Sequence, residues 1–468
     1  MFEEYDLLRA TTEPLQSLDD KMPSRGLPSD KVMRPTERAE RKVQCASPTT
    51  SRGRLTLTSS IRLKVEPSRV VDGYVVKALF LWKSIIGAYM FTAIEPLDVY
   101  NKNINILLGS GASADLFPTL ALKIKSPLGK WQTIETLATE HSGWADRHTA
   151  IFMHYYNTCI YPVQNFSPKK IKNIAGRKNL KNYEEFLTTI LGLLDRRKDL
   201  NRKINIFTTN YDGCLAHSAD NILAKGSHDF VINDGTSGFH KKLLHAKNFS
   251  TFQCQTGVFE RSHYGIPQIN LIHLHGSVYW SKSGEKIEVE YKNDFDNLIH
   301  PRTLAKIQKF SDYLTTEGSI TTKIPHVAFT SQQRNNFWNS YNKLPIVNPT
   351  KWKFHETVFE EHYYQMLRLL SYELEKPNSI LIAFGFSFAD EHILKLIQRS
   401  LANPQLQTFI CCYSKKSAEN LIEEFKLWRN VTIISPPDGE KLDFTNFNKY
   451  IFSLKPQKYV PPEEEEFV

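Results

Sequence analysis

Short continuous apolar runs punctuate the chain, and longer segments of helical period lie between them. "NINILL" opens the stretch 103–120, "INIF" begins at Ile204, "INLIHL" at Ile269 and "SILIAF" at Ser379; "QTFICCYS" (407–414) and "VTIISP" (431–436) follow. Runs of this length, mostly apolar and interrupted by few polar residues, are what a strand needs when both faces of its sheet are covered. Helical period appears at 182–200, 359–376, 418–430 and 444–454. In "NYEEFLTTILGLLDRRKDL" (182–200), Phe186, Ile190 and Leu194 share one stripe, acids come early and Arg196–Lys198 come late, as the helix dipole favours. Strands alternating with helices predict an α/β fold with a Rossmann-like, mostly parallel sheet and helices on both faces.

The other segments are less regular. Residues 1–70, rich in Ser, Thr, Pro and Arg without a sustained period, predict a disordered or loosely ordered extension. Residues 71–100 are an apolar helical segment. Its run 75–94 has the length of a membrane span, but Lys77 and Lys83 interrupt it, which favours a buried or partner-facing helix over an anchor. Residues 120–200 read as a mainly helical insertion, 213–270 as mixed with a turn at 232–242, 281–345 as a charged stretch, and 456–468 as an acidic tail. After "GSGAS" the chain is expected to enter a helix.

Composition narrows the classes. The net charge is +9, yet 50 acidic residues stand against 59 basic ones, so contact with nucleic acid or phosphate is permitted without being demanded. The basic clusters at 167–181 and 195–203 are local, and solvated faces account for them better than a nucleic-acid site does. Six scattered cysteines include no CxxC pair, so neither a zinc ribbon nor a disulfide framework is expected, which fits a reducing cytoplasm. The first residues lack the basic-then-apolar order of a signal peptide.

Polar motifs fall where the strands end, the edge of a parallel sheet at which ligands bind. Gly109 and Gly111 of "GSGAS" would let backbone approach a phosphate, with a following helix N-terminus to receive it. Ala114 stands where a third glycine would complete the dinucleotide fingerprint, so a structural turn serves equally well. "TTNYD" (208–212) offers amide and carboxylate groups to a sugar or a water, or caps a helix locally. "LHGS" places His275 at a strand end, where it could act as a base near neutral pH. "GFSFADEH" (385–392) supplies Ser387 for a ribose hydroxyl and Asp390 as an N-cap.

In this order, "GSGASADLFPT", "IFTTNYD", "INDGTSGF", "INLIHLHGS" and "GFSFADEH" resemble the sirtuin-type NAD-binding domain, and within it the sirtuin-like NAD-hydrolysing proteins of prokaryotic antiviral defence. The resemblance spans roughly 101–455 and implies a catalytic domain there. It implies Asn210 and His275 as catalytic residues. Gly109, Ser110, Gly111, Ala112 and Ser113 correspond to the phosphate loop, Thr209 and Asp212 to ribose-side contacts, and Gly385 and Ser387 to adenosine-side contacts. NAD would be substrate, without a metal. The activity implied is cleavage of NAD to nicotinamide and ADP-ribose, depleting the cytoplasmic pool during abortive infection. It would be controlled by homo-oligomerisation or by a partner such as a hexameric DNA-translocase ATPase, with nucleic acid met only indirectly and no membrane partner.

The chain departs from the deacylase pattern. Residues 276–384 contain no cysteine, so the four-cysteine zinc module has no counterpart, and "FPTL" replaces the usual Pro-Asp-Phe-Arg segment. His273 stands where many relatives carry lysine. Protein deacylation, ADP-ribosyl transfer and a non-enzymatic NAD- or ADP-ribose-binding subunit are the alternatives.

Overall fold

The apolar runs assemble into one seven-stranded sheet. Its strands are β1 (Asn103–Leu108), β2 (Lys203–Thr208), β3 (Val231–Asn233), β4 (Gln268–His273), β5 (Ser379–Phe384), β6 (Gln407–Cys411) and β7 (Val431–Ile434). They lie in the order β7-β6-β5-β1-β2-β4-β3. Every neighbouring pair is parallel. The structure is a computed structural model and describes residues 94–95, 99, 101–257, 263–349 and 357–455. The expectations for 1–70, for nearly all of 71–100 and for 456–468 lie outside the described residues.

Every position of β4 and β5 is buried, as is every position of β1 after the first. Such strands form only when helices shield both faces. The principal helices are α1 (Ile134–Glu140), α2 (Ala145–Tyr155), α3 (Ile174–Asp195), α4 (Cys214–Lys225), α5 (Pro301–Thr315), α6 (Ser331–Tyr341), α7 (Thr357–Glu375), α8 (Glu391–Ser400) and α9 (Lys415–Phe425). Helix α3 packs on α4, β2 and the turn at 447–451, α7 on β1, β5 and α8, and α9 on β7. None of the described helices is long and apolar enough to cross a membrane.

Chain order gives the sheet its site. From β1 the chain crosses to β2 on one side, and later returns to β5 on the other, so the direction of winding reverses between β1 and β5. At such a point the loops leaving two adjacent strands turn to opposite faces and leave a crevice. The last residues are in register: Phe384 pairs with Leu108, Leu108 with Thr208, and Thr208 with His273. All four polar motifs therefore emerge side by side from β5, β1, β2 and β4.

Several local expectations are corrected. The segment after β1 is a single 3-10 turn, Ser110–Ser113, and no α-helix follows it before 134. The stretch 120–200 opens with strands Ala121–Lys125 and Trp131–Thr133, which join Ser319–Ile320 in a small sheet. The charged stretch 281–345 holds strand Lys286–Val289 together with α5 and α6. Helix α3 begins at Ile174 and ends at Asp195, so Glu184 and Glu185 are interior and Arg196–Lys198 lie beyond its last turn. Arg197 is buried instead, its guanidinium donating to the carbonyls of Lys203 (3.2 Å) and Lys102. It anchors the end of α3 to the entry of β2 and the residue before β1. The segment expected as a closing helix is three helical residues, Phe444–Asn446, continued by a π-turn.

Candidate active site at the strand termini

Between the four loops lies a cavity of about 180 Å³. Of the residues proposed from sequence, Ser110, Ser113, Thr209, Asn210, Asp212, His275, Gly385 and Ser387 line it. Gly109, Gly111 and Ala112 do not. A Cβ on Gly109 would sit 2.4 Å from the carbonyl oxygen of Gly385, and one on Gly111 2.8 Å from the Gly385 Cα. These glycines allow the loop after β1 to pack backbone-to-backbone on the loop after β5. The amides of Gly109, Gly111 and Ala112 donate to the carbonyls of Phe384, Gly385 and Gly109, at 3.0, 2.9 and 3.0 Å. No α-helix follows directly behind these amides, and the 3-10 turn Ser110–Ser113 presents Ser110 and Ser113 to the cavity.

The Ser113 hydroxyl organises the β2 loop. Its oxygen lies 2.8 Å from Asp212 Oδ2, 2.7 Å from the Tyr183 hydroxyl and 3.4 Å from Asn210 Nδ2. A carboxylate only accepts, so Ser113 gives its proton to Asp212 and must accept from Tyr183. Burial, reinforced by the Asp212 charge, pushes the Tyr183 phenol well above its usual range and keeps it a donor. Asp212 Oδ1 accepts from the Cys214 amide at 3.0 Å, which completes its carboxylate. Asn210 is therefore oriented with its nitrogen turned back onto Ser113. Its carbonyl oxygen Oδ1 is buried and has no hydrogen-bond partner. Asn210 itself lines the cavity, and a buried acceptor without a partner is one that a ligand or an ordered water can satisfy.

The backbone of Asn210 is held as firmly. Its amide donates to Thr208 Oγ1 (3.0 Å), and its carbonyl accepts from His273 Nδ1 (3.0 Å). Burial lowers the His273 pKa, so the ring stays neutral with its proton on Nδ1. Where a lysine would bring charge, His273 supplies an uncharged support behind the loop and lines no part of the cavity.

His275 follows β4 in a turn that needs its glycine. Gly276 has φ +82°, and a Cβ there would fall 2.0 Å from the Pro345 carbonyl oxygen. Val347 donates its amide to the His275 carbonyl at 3.0 Å, and the Tyr211 hydroxyl donates to the Val347 carbonyl at 3.0 Å. The segment 347–349, whose three residues line the cavity, is thereby pinned as one wall. Beside it, burial raises the Tyr211 phenol to about 12 and the Tyr155 phenol well above the usual range, so both are neutral. Cys159 also lines the cavity, but burial pushes its thiol to about 11, which rules it out as a ready nucleophile. The His275 Nε2 lies 3.0 Å from Asp390 Oδ2. Asp390 also caps α8, as expected, through Oδ1.

Among the described residues, the lining contains three carboxylate residues (Glu135, Asp212 and Asp390) and neither lysine nor arginine. Among the described residues no group of three His, Cys, Asp or Glu could hold a metal ion. Sequence reasoning did not reach Tyr183, which shares the apolar stripe of α3, nor the 347–349 wall, which belongs to no motif. Only the fold brings either to the site.

No curated protein matches this chain. The family model described as the SIR2-like domain matches residues 204–433, which takes in Asn210, His275 and the 385–390 loop but not the loop after β1. That match supports a sirtuin-like family for this chain and accords with activity on NAD.

Proposed function

We propose that the chain hydrolyses the bond between nicotinamide and ribose in NAD, giving nicotinamide and ADP-ribose. The observation that carries this reading is the buried, unpartnered Asn210 Oδ1 sharing one cavity with His275. The enclosed volume of about 180 Å³ is below the roughly 300–1,000 Å³ of sites that enclose a whole drug-sized ligand. It suits the nicotinamide–ribose end, with the rest of the dinucleotide toward the mouth.

The lining chemistry fits the bond. When C1′–N breaks, the electron pair returns to the pyridinium nitrogen, nicotinamide leaves neutral, and C1′ carries oxocarbenium character. The carboxylates of Glu135, Asp212 and Asp390 favour that positive charge in a poorly solvated cavity. Asn210 Oδ1 accepts a hydrogen bond from the ribose hydroxyl or the attacking water and fixes its approach. The water oxygen bonds to C1′, its proton passes to His275 and then to solvent, and the net products are nicotinamide, ADP-ribose and a proton. The wall at 347–349 bounds one side of this space.

The test is nicotinamide release from NAD, followed by chromatography with the full chain. Asn210→Ala and His275→Ala should each lower kcat by about 10²–10⁴-fold, the range for a lost general acid–base group. Normal NAD loss in both variants overturns the reading, and lysine-deacylated peptide among the products would favour the deacylase alternative. In the cell we read the activity as cytoplasmic NAD depletion in antiviral defence, restrained by self-association or by a partner such as a hexameric DNA-translocase ATPase. An enzyme of this kind left active would exhaust its own host.

A further inference from the structure

We propose that Asp390 is a positioning residue for His275: it fixes the ring as the Nε2–H tautomer and so makes Nδ1 the nitrogen that takes the proton of the attacking water. This inference rests on the reading of His275 as the base.

The geometry gives little freedom. Asp390 Oδ2 lies 3.0 Å from His275 Nε2, and both side chains are largely buried, at 8% and 17% exposure. A carboxylate oxygen can only accept, so in the neutral ring the hydrogen must sit on Nε2 and the lone pair on Nδ1. The carboxylate cannot swing away without cost. Its other oxygen, Oδ1, accepts from the amides of His392 (3.1 Å) and Ile393 (3.4 Å), the first donors of α8. That helix is fixed in turn by Ile393 and Ile397, both fully buried. The His392 ring is also near, its Nδ1 3.8 Å from Oδ1, and is about half exposed. Oδ1 therefore serves the helix and Oδ2 serves His275. As water adds to C1′, a lone pair on its oxygen forms the C1′–O bond, the C1′–N bonding pair leaves with nicotinamide, the O–H bonding pair stays on the oxygen as its proton moves to Nδ1, and the resulting imidazolium is held against the carboxylate. The charge is balanced within one hydrogen-bonded pair.

Helix capping alone would also explain an aspartate at this position, and the test separates the two. Asp390→Asn keeps an oxygen for the α8 amides but turns an NH₂ toward His275. Nε2 must then accept, and the ring hydrogen moves to Nδ1. Asp390→Ser keeps a capping hydroxyl but is too short to reach the ring. The full chain, labelled with ¹⁵N-histidine and assigned by comparison with His275→Gln, should show the Nε2–H tautomer in the native protein and the Nδ1–H tautomer in Asp390→Asn. Nicotinamide release should fall by about 10³–10⁴-fold in kcat for Asp390→Asn, the scale seen when a base is held in the wrong tautomer, with KM within a few-fold. Asp390→Ser should lose activity while its melting temperature stays within a few degrees of native. A native Nδ1–H tautomer, or an Asp390→Asn protein with native kcat, overturns the proposal. If the native chain releases no nicotinamide, alone or with its candidate partner, the hydrolase reading fails, and the ¹⁵N spectra still decide whether Asp390 sets the tautomer.

Discussion

Ser113 serves Asp212, Tyr183 and Asn210 with one hydroxyl, and it is 3% exposed. Replacing it with alanine removes the donor to a buried carboxylate and the acceptor for a buried phenol. Each orphaned group costs about 1–3 kcal/mol. Ser113→Ala should therefore lower the unfolding free energy by roughly 2–4 kcal/mol, measured by urea titration. It should also lower kcat, because the Asn210 amide would lose the contact that sets which of its ends faces the cavity. Native kcat in a destabilised Ser113→Ala protein would show that the amide is oriented by something else. At this scale the sequence was a partial guide. The types needed at 110, 113, 210, 212 and 275 were legible because polar residues directly after apolar runs are conspicuous. The partnership of Ser113 with Tyr183 was not, since 70 positions separate them and α3 alone brings the phenol to the loop.

The elements are registered by a device of their own. An Ile-Asn pair recurs at 104–105, 204–205, 232–233 and 269–270, once in each of β1, β2, β3 and β4. In the sheet Asn105 pairs with Asn205, Asn205 with Asn270, and Asn270 with Asn233. Their side chains form a ladder: Asn205 Nδ2 donates to Asn105 Oδ1 (2.8 Å), Asn270 Nδ2 to Asn205 Oδ1 (2.8 Å), and Asn233 Nδ2 to Asn270 Oδ1 (3.0 Å). A slip of one residue would set each amide against an isoleucine, so the ladder penalises the wrong register in strands that are otherwise uniformly apolar. Asn205→Leu removes two of these bonds and leaves Asn105 Oδ1 without its donor. The urea midpoint should fall by the equivalent of roughly 2–4 kcal/mol with an unchanged slope. An unchanged midpoint would mean that the amides do not stabilise the sheet. The repeated dipeptide was there to be read, but four Ile-Asn pairs gain meaning only once the strand order makes them neighbours. The two small strands in 120–133 were missed for a different reason: they are three and five residues long and depend on pairing with 319–320.

For the molecule as a whole, buried histidines predict an acid limit. His154 is 2% exposed, its Nδ1 has no hydrogen-bond partner, and burial lowers its pKa to about 4. The unfolded chain binds this proton near pH 6.5 and the folded chain only near 4, so stability falls as the pH drops through that window and levels off below it. The loss attached to this one group is on the order of 3 kcal/mol. Thermal melts from pH 7 to 4 should show a falling midpoint, and His154→Phe should flatten the curve; an equally steep fall in that variant would place the sensitive group elsewhere. The sequence by itself determined the α/β class, the strand ends as the place of the site, and most of the residue types there, because period, apolar run length and turn chemistry are local properties of the chain. Only the tertiary structure decided which of those residues meet. It turned the "GSGAS" glycines into a backbone contact with the loop after β5, left one carbonyl of Asn210 unsatisfied in the cavity, and gave Asp390 a second partner in His275. Each of these depends on distances between segments far apart in the chain, which strand order and packing fix and local sequence does not.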